Sequence, residues 1–425
     1  MKFIADLHIH SKYSRATSKN LCLEELDRWA DDKGILVMGT GDFTHPAWFK
    51  EIKTKLEPAE QGLFRLKKKY KLKTFKDTFA DTRFLLTVEI SGIYSRGGRV
   101  RRIHNIVLAP DMETAEKINA RLSLIGNLKS DGRPILGLDS EELAKIVFEI
   151  NSRAAIIPAH VWTPWFSLFG SMSGFDSLEE CFGKMSKHIF ALETGLSSDP
   201  AMNWRLSTLD NLALISNSDS HSLQKIGREA NIFNAALSYD GIMEAIKSGA
   251  PNKIKKSGGK SEFTATIEFF PEEGKYHYDG HRACGVVFSP EETVKHKGLC
   301  PKCGKPVVVG VLHRVAKLSD RKMPPISHNF HHESAGRVPY YNLIPLDEVI
   351  GEALGVGPSS KKVKEKYKNL IVKFGSEPDI LMKTSPEELE AAGEKQIAEA
   401  VGRMREGRVK IKPGYDGEYG EVSIF

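Results

Sequence analysis

The stretch DLHIHS, residues 6–11, sets three metal-capable side chains at alternate positions: Asp6, His8 and His10. If Phe3 to His10 is extended, these three share one face of a strand while Leu7 and Ile9 share the other. A strand face given over to such groups is how the floor of a metal pocket is built. The same chemistry recurs down the chain. Further segments that read as β-strands end in Asp42 and His45, in Glu89, in His104, in His160, in Glu193, and in Asp219 with His221. A single buried histidine usually serves packing, but seven strand ends in a row carrying imidazoles or carboxylates need a common destination. His, Asp and Glu without cysteine suit Zn²⁺, Mn²⁺ or Fe²⁺. Two such ions joined by a carboxylate can clamp a phosphate oxygen and activate water, so phosphoester hydrolysis is the expected reaction class. Glu193 has three open roles: a late ligand, a general base, or an acid that orients a ligand histidine.

A second cluster has a different make-up. HRACGVVFSPEETVKHKGLCPKCGKP, residues 281–306, reads His-x2-Cys, fifteen residues, then Cys-x2-Cys. His281, Cys284, Cys300 and Cys303 fit one closed, tetrahedral structural zinc, with His277 and His296 as alternatives for the imidazole. Cys22 and Cys181 read as small buried hydrophobes, and five cysteines do not suit a disulfide framework.

These groups need a scaffold. Up to about residue 250, β-rich runs alternate with helical patterns such as CLEELDRWADDKG and SEELAKIVFEINSR. That alternation marks an α/β parallel sheet or barrel, whose active site lies at the carboxyl ends of the strands. SGAPNKIKKSGGKSE, residues 248–262, has linker composition. The expected domains are therefore a barrel over 1–250, a zinc-binding domain over 251–322 and a helical domain over 323–425. In the last, GVGPSS separates two helical patterns, so Ser359, Ser360, Lys361 and Lys362 open a helix. That helix start could grip a phosphate or serve as a packing cap.

With 61 Lys and Arg against 55 Asp and Glu, the formal net charge is +6, a mild preference for acidic partners. No apolar run approaches the roughly 20 residues of a membrane span, and Asp6, His8 and His10 interrupt the stretch a secretion signal would need. A cytoplasmic protein with no membrane partner is expected.

DLHIHS, GTGDFTH, Glu89, His104, His160 and SNSDSH resemble the successive motifs of the polymerase-and-histidinol-phosphatase (PHP) superfamily. The resemblance implies a distorted (β/α)7 barrel holding two or three divalent ions (Zn, Mn or Mg). His8, His10, Glu89 and Asp219 would hold the first, and Glu89 would bridge to a second held by His104 and His160. For the third, Asp42 or His45 would serve with His221, because Phe43 and KYSRA stand where the superfamily has ligands. A small-molecule phosphatase of the histidinol-phosphatase type is one reading. The appended zinc and basic helical regions favour a polyanionic substrate instead. Arg96, Arg99, Arg101 and Arg102 lead into His104 and would flank the metals. Trp162, Trp165 and Phe166, in WTPWFSLFGSMSGF, would either stack on nucleobases or pack beneath neighbouring domains.

YDGHRACG, CPKCGKPVVVGVLHRV, RVPYYNLIPL, GVGPSSKKV and PGYDGEYG extend the resemblance over nearly the whole chain, to the endonuclease Q family. That implies a metal-dependent DNA repair endonuclease nicking 5′ to uracil, hypoxanthine, xanthine or an abasic site, with the damaged nucleotide flipped out. Damaged DNA, double- or single-stranded, is the implied partner, with a sliding clamp as a further candidate. Tyr340 and Tyr341 would line the lesion pocket or fill a domain interface.

Overall fold

In the computed structural model, which describes residues 1–254, 261–322 and 330–425, seven strands wind into a ring. They are β1 (Lys2–Asp6), β2 (Val37–Gly39), β3 (Arg83–Arg96), β4 (Arg99–Ala109), β5 (Ala155–Pro158), β6 (Ala191–Glu193) and β7 (Ala213–Ile215). β1 pairs parallel with β2 and β2 with β3, β4 pairs antiparallel with both β3 and β5, and β6 runs parallel to β7. The Val161 amide donates to the Glu193 carbonyl, and Ile9 bridges Ser220, which closes the circle. Every strand feeds one buried apolar cluster, through Ala5, Val37, Leu85, Ile106, Ile157, Ala191 and Ala213. The expected distorted α/β barrel is thus present.

Its helices start where their sequences dictate. α1 (Leu23–Asp32) buries Leu23, Leu26 and Ala30 and places Glu24 and Glu25 in its first turn. α2 (Ser140–Ile150) is capped by Asp139, whose side chain accepts from the Glu142 amide.

Two features depart from expectation. Glu89 and His104 do not end parallel strands; they lie within a long antiparallel hairpin, β3 with β4. Gly97 and Gly98, both at positive φ, turn the chain back in two residues, so no crossover helix intervenes. The sheet also runs past residue 250. β8 (Ala230–Asn234) pairs with β1, β9 (Glu262–Glu268) pairs with β8, and β10 (Tyr340–Asn342) pairs parallel with β9. The zinc region is therefore the segment between two adjacent strands of the barrel's sheet. Residues 255–260 of the expected linker, and the boundary at 323, lie outside the described residues.

The C-terminal helices α3 (Leu346–Leu354), α4 (Lys361–Phe374), α5 (Pro386–Ala391) and α6 (Lys395–Arg405) pack through Val349, Ile350, Leu370, Ile371, Ile397 and Val401. A buried Lys33–Glu377 pair at 2.6 Å and a Lys225–Glu348 pair tie them to the barrel. No helix of the described residues is long and apolar enough to cross a membrane.

Candidate metal centre and its cleft

Glu89 projects from β3 and divides its two carboxyl oxygens between two groups of ligands. Oε1 lies 2.7 Å from His104 Nδ1 and 2.9 Å from His160 Nε2. Oε2 lies 3.4 Å from His10 Nε2 and 3.8 Å from His8 Nε2. Asp219 joins the second group, with Oδ1 3.0 Å from His10 Nε2 and 3.7 Å from His8 Nε2. The donor atoms of His8, His10, Glu89 and Asp219 lie within 4.8 Å of one another, as do those of Glu89, His104 and His160. The structure thus brings together six residues from strands remote in sequence.

The other ring nitrogen of each histidine is anchored. His8 Nδ1 donates to Glu193 at 3.0 Å, His10 Nδ1 to Asp42 at 3.1 Å and His160 Nδ1 to the Thr163 hydroxyl at 3.1 Å, while His104 Nε2 meets Ser91 Oγ at 3.1 Å. These anchors fix the tautomers, so the lone pairs of His8, His10 and His160 face inward. His104 Nδ1 and His160 Nε2 sit 3.2 Å apart, and the buried His8 Nε2 has no hydrogen-bond partner among the described residues. Acceptors converging on acceptors fit a cation between them.

Electrostatics agree with that fit. Burial works against charge on His8 and His10, yet the facing carboxyl groups hold both well above the usual imidazole range. Burial would raise Glu89, but His104, Arg133 and His8 bring it well below an ordinary carboxyl. Asp219 is lowered against burial by the facing His10 and His8 imidazoles. The pocket therefore favours positive charge at its centre.

Backbone strain marks the same residues. His160, Asp219 and Asp42 have φ of 31°, 46° and 49°, a region that costs side-chain-bearing residues about 1–3 kcal/mol each. Gly195 makes His160's position possible, since a Cβ there would lie 2.5 Å from the His160 Cβ.

Several expected ligands act differently. Asp42 directs one oxygen to His10 and receives the Ser11 amide, Ser11 hydroxyl and Ser14 hydroxyl on the other, so it positions a ligand. His45 caps a helix by accepting from the Trp48 amide and stacks on Tyr13 at 4.3 Å. His221 is only partly buried, and its Nδ1 donates to the Asp219 carbonyl. None of these three joins a group of three or more ligands among the described residues, although His221 lies beside His10, with ring centres 4.7 Å apart. Glu193 receives the His160 amide and the Asn217 side chain besides His8, as an acid orienting a ligand histidine would.

Arg133, which sequence reasoning missed, donates from Nη1 to Glu89 Oε2 at 2.9 Å. The tight Asp-Gly turn before it, ahead of Pro134, was the available signal. Asn217 was missed as well; it accepts from the Leu7 amide and so ties β1 to the loop after β7.

A cleft of about 650 Å³ opens from His104, His160 and Asp219. Trp165, Phe166, Phe269 and Tyr276 wall it, and Lys225, Arg228 and Lys275 line it together with Glu273 and Glu348, the last of which pairs with Lys225. Phe166 packs on His104 with ring centres 4.7 Å apart, and Trp165 meets Tyr276 edge-on. Trp162 is a correction. It is fully buried, donates to Asn203 and packs on Phe169, so it supports the cleft from beneath. Tyr340 is likewise buried, between His332 and Trp204, and Tyr341 stacks on His331; neither lines the cleft. Arg96 is tied to the Cys181 carbonyl and Glu141, and Arg101 to the Gly174 carbonyl, which removes both from the metal rim. Arg99 remains exposed at the hairpin tip, and Arg102 lies over Phe166 at 5.7 Å. Ser360 caps α4 by accepting from the Val363 amide, leaving Lys361 and Lys362 exposed after Ser359.

The zinc-type cluster is separate. The donor atoms of His281, Cys284, Cys300 and Cys303 lie within 4.8 Å of one another. Gly285 and Gly304, each directly after a knuckle's second ligand, take positive φ. Backbone amides of Lys302 and Cys303 lower the Cys300 thiol against the effect of burial. Cys300 also sits in a small core with Val286, Phe288 and Val307. His277 is buried against Tyr278 and His296 stacks on Phe288, so neither alternative takes the fourth position.

A family model described as the MJ0043 C-terminal domain matches residues 345–408. The chain is 36% identical over 265 residues to the uncharacterized protein MJ0043 of Methanocaldococcus jannaschii, and this match spans 62% of the chain but only 31% of that protein's length. It is 29% identical to the uncharacterized protein YqxK of Bacillus subtilis across 99% of both. Among solved structures, it is similar to the lesion-specific endonuclease PfuEndoQ of Pyrococcus furiosus, at 30% identity and a TM-score of 0.83, over 100% of this chain and 95% of the other. It is equally similar to endonuclease Q in complex with a 27-mer duplex carrying an abasic lesion at the active site, at 30% identity and a TM-score of 0.82, over 100% and 97% of the two chains.

Proposed function

The chain belongs to the endonuclease Q family, and from that premise we propose that it cuts DNA on the 5′ side of deaminated bases (uracil, hypoxanthine, xanthine) and abasic sites. The observation that carries this reading is the cleft. It begins at the residues around Glu89, encloses about 650 Å³, and has aromatic walls with Arg228 and Lys275 among them. His8, His10, Glu89 and Asp219 would hold one divalent ion, and Glu89, His104 and His160 a second. When bound, such ions activate water and neutralise charge on the phosphate.

The chain's own residues do the rest. Glu193, Asp42, Ser91 and Thr163 lock the imidazoles, so the site needs no rearrangement when the strand arrives. Phe166 and Trp165 offer flat faces to an unstacked nucleotide and exclude water beside the phosphate. Arg228 and Lys275 fix neighbouring phosphates, while Arg99, Arg102, Lys361 and Lys362 extend the contact along the duplex. A small phosphomonoester would leave this extended surface unused.

The test is to incubate labelled duplexes containing uracil, hypoxanthine, xanthine, an abasic site or no lesion with the protein, with and without chelator, and to map the cuts. Chelator-sensitive nicks 5′ to the lesions are expected. Equal cutting of intact and damaged duplexes would refute lesion specificity, and turnover of phosphomonoesters alone would favour the phosphatase reading.

A further inference from the structure

Arg133 stands on a loop fixed with unusual care. Asp131, itself buried, receives the backbone amides of Arg133 and Arg15 on Oδ1, at 3.1 and 3.3 Å, and Arg15 Nε on Oδ2 at 3.2 Å. Gly132 donates to the Tyr13 carbonyl and lies so close beneath Asp42 and Ser14 that a Cβ there would be 2.2 Å from Asp42 Oδ2. The Pro134 carbonyl then accepts from the Ser91 amide on β3. One end of the turn is thus pinned to the loops after β1 and β2 and the other to β3, and the side chain between them reaches Glu89.

A structural arginine at such depth normally satisfies its fork of donors with protein. Arg314 does so, donating to the carbonyls of Phe169 and Phe175 and to Asp176. Arg133 donates from Nη1 to Glu89, no hydrogen bond from Nε or Nη2 to another described residue accompanies it, and a quarter of the side chain is exposed. Glu89 would also hold divalent ions together with His8, His10, His104, His160 and Asp219, which would weaken its claim on the guanidinium and leave that group able to meet an anion.

We infer that Arg133 grips a non-bridging oxygen of the scissile phosphate and stabilises the charge that develops there during cleavage. This deepens the phosphodiesterase reading and rests on it. Water adds to phosphorus, the bond to the departing sugar oxygen breaks, and that oxygen leaves with a proton from the water. The guanidinium remains charged throughout and needs no proton of its own to move.

The test uses the full, metal-loaded chain with Arg133→Ala and Arg133→Lys. Arg133→Ala should slow single-turnover cutting of an abasic duplex about 10²–10³-fold, as loss of one preorganised donor does, with metal content unchanged. Arg133→Lys, which keeps the charge but not the planar fork, should recover only part of the rate. Inorganic phosphate binding, measured by calorimetry, should weaken at least tenfold in Arg133→Ala. This arm stands without DNA: if the wild-type chain cut no lesion duplex, the repair reading would fail while phosphate binding still judged Arg133. Equal phosphate affinity in both proteins overturns the inference. So does loss of bound metal in step with rate, which would make Arg133 a support for Glu89 only.

Discussion

Replacing Glu193 by Gln tests whether the pocket is built around cations. The substitution changes one oxygen into an NH₂ group and hardly alters shape. Glu193 now accepts three N–H groups: His8 Nδ1 at 3.0 Å, Asn217 Nδ2 at 2.9 Å and the His160 amide at 2.9 Å. A glutamine offers one oxygen, so at least one buried donor faces another donor. That costs about 1–3 kcal/mol of fold stability, the usual penalty for an unsatisfied buried group. The second effect falls on the metal. Without the carboxyl group His8 is less basic and its tautomer less firmly held, which should weaken binding at the His8, His10, Glu89 and Asp219 group about 10–100-fold. At about 1.4 kcal/mol per decade this is roughly 1.4–2.8 kcal/mol. Competition titration against a chromophoric chelator gives the affinity, and denaturation with chelator present gives the intrinsic stability loss. A variant that binds metal as tightly as the wild type, yet is destabilised, would refute the claim that Glu193 acts on a ligand.

Gly195→Ala should drive His160 out of place, because the new methyl would meet its Cβ at 2.5 Å with the backbone at φ 63°; about 1–3 kcal/mol of stability and the second bound ion should be lost together, read by melting and elemental analysis. Glu89→Ala should abolish cutting while a gel-shift with lesion duplex shows binding retained; residual cutting would refute its bridging role. Cys300→Ser should lower bound zinc by one equivalent and open residues 281–306 to protease, with the barrel's ligands unaffected. Burial, with Asp199 adding, pushes the Glu268 carboxyl up to about 8 in spite of its hydrogen bond from Thr266. Because the folded state then holds that proton more tightly than the unfolded chain, Glu268 contributes stability at low pH that is lost as pH rises from 4.5 toward 8. Glu268→Gln should flatten this part of the stability profile, measured by denaturant midpoints across that range.

The sequence made the ligands legible because their chemistry is rare. His8, His10, Glu89, His104, His160 and Asp219 each break an otherwise apolar strand pattern, and the two Cys/His knuckles have a spacing few other structures require. The hairpin carrying Glu89 and His104 was less readable, since two buried strands look alike whether they run parallel or antiparallel. Asp42 and His45 resembled ligands because residue type alone cannot separate a carboxyl that binds metal from one that orients an imidazole; the hydroxyls of Ser11 and Ser14 decide the matter for Asp42. The aromatics of 162–175 divided for a similar reason. Their irregular spacing gave no face, so only the fold could show Trp162 turned inward and Phe166 turned toward the centre. Arg133 escaped notice because one cation in a polar loop is ordinary until its neighbours are known.

The placement of the zinc region between β9 and β10 has a mechanical consequence. These strands lie side by side and run in the same direction, with Thr266 opposite Tyr340, so the excursion leaves and rejoins the barrel at neighbouring roots. Such a loop behaves like a handle riveted at both ends rather than a bead on a string. Its root strand β9 pairs with β8, and β8 with β1, the strand that leads into His8 and His10.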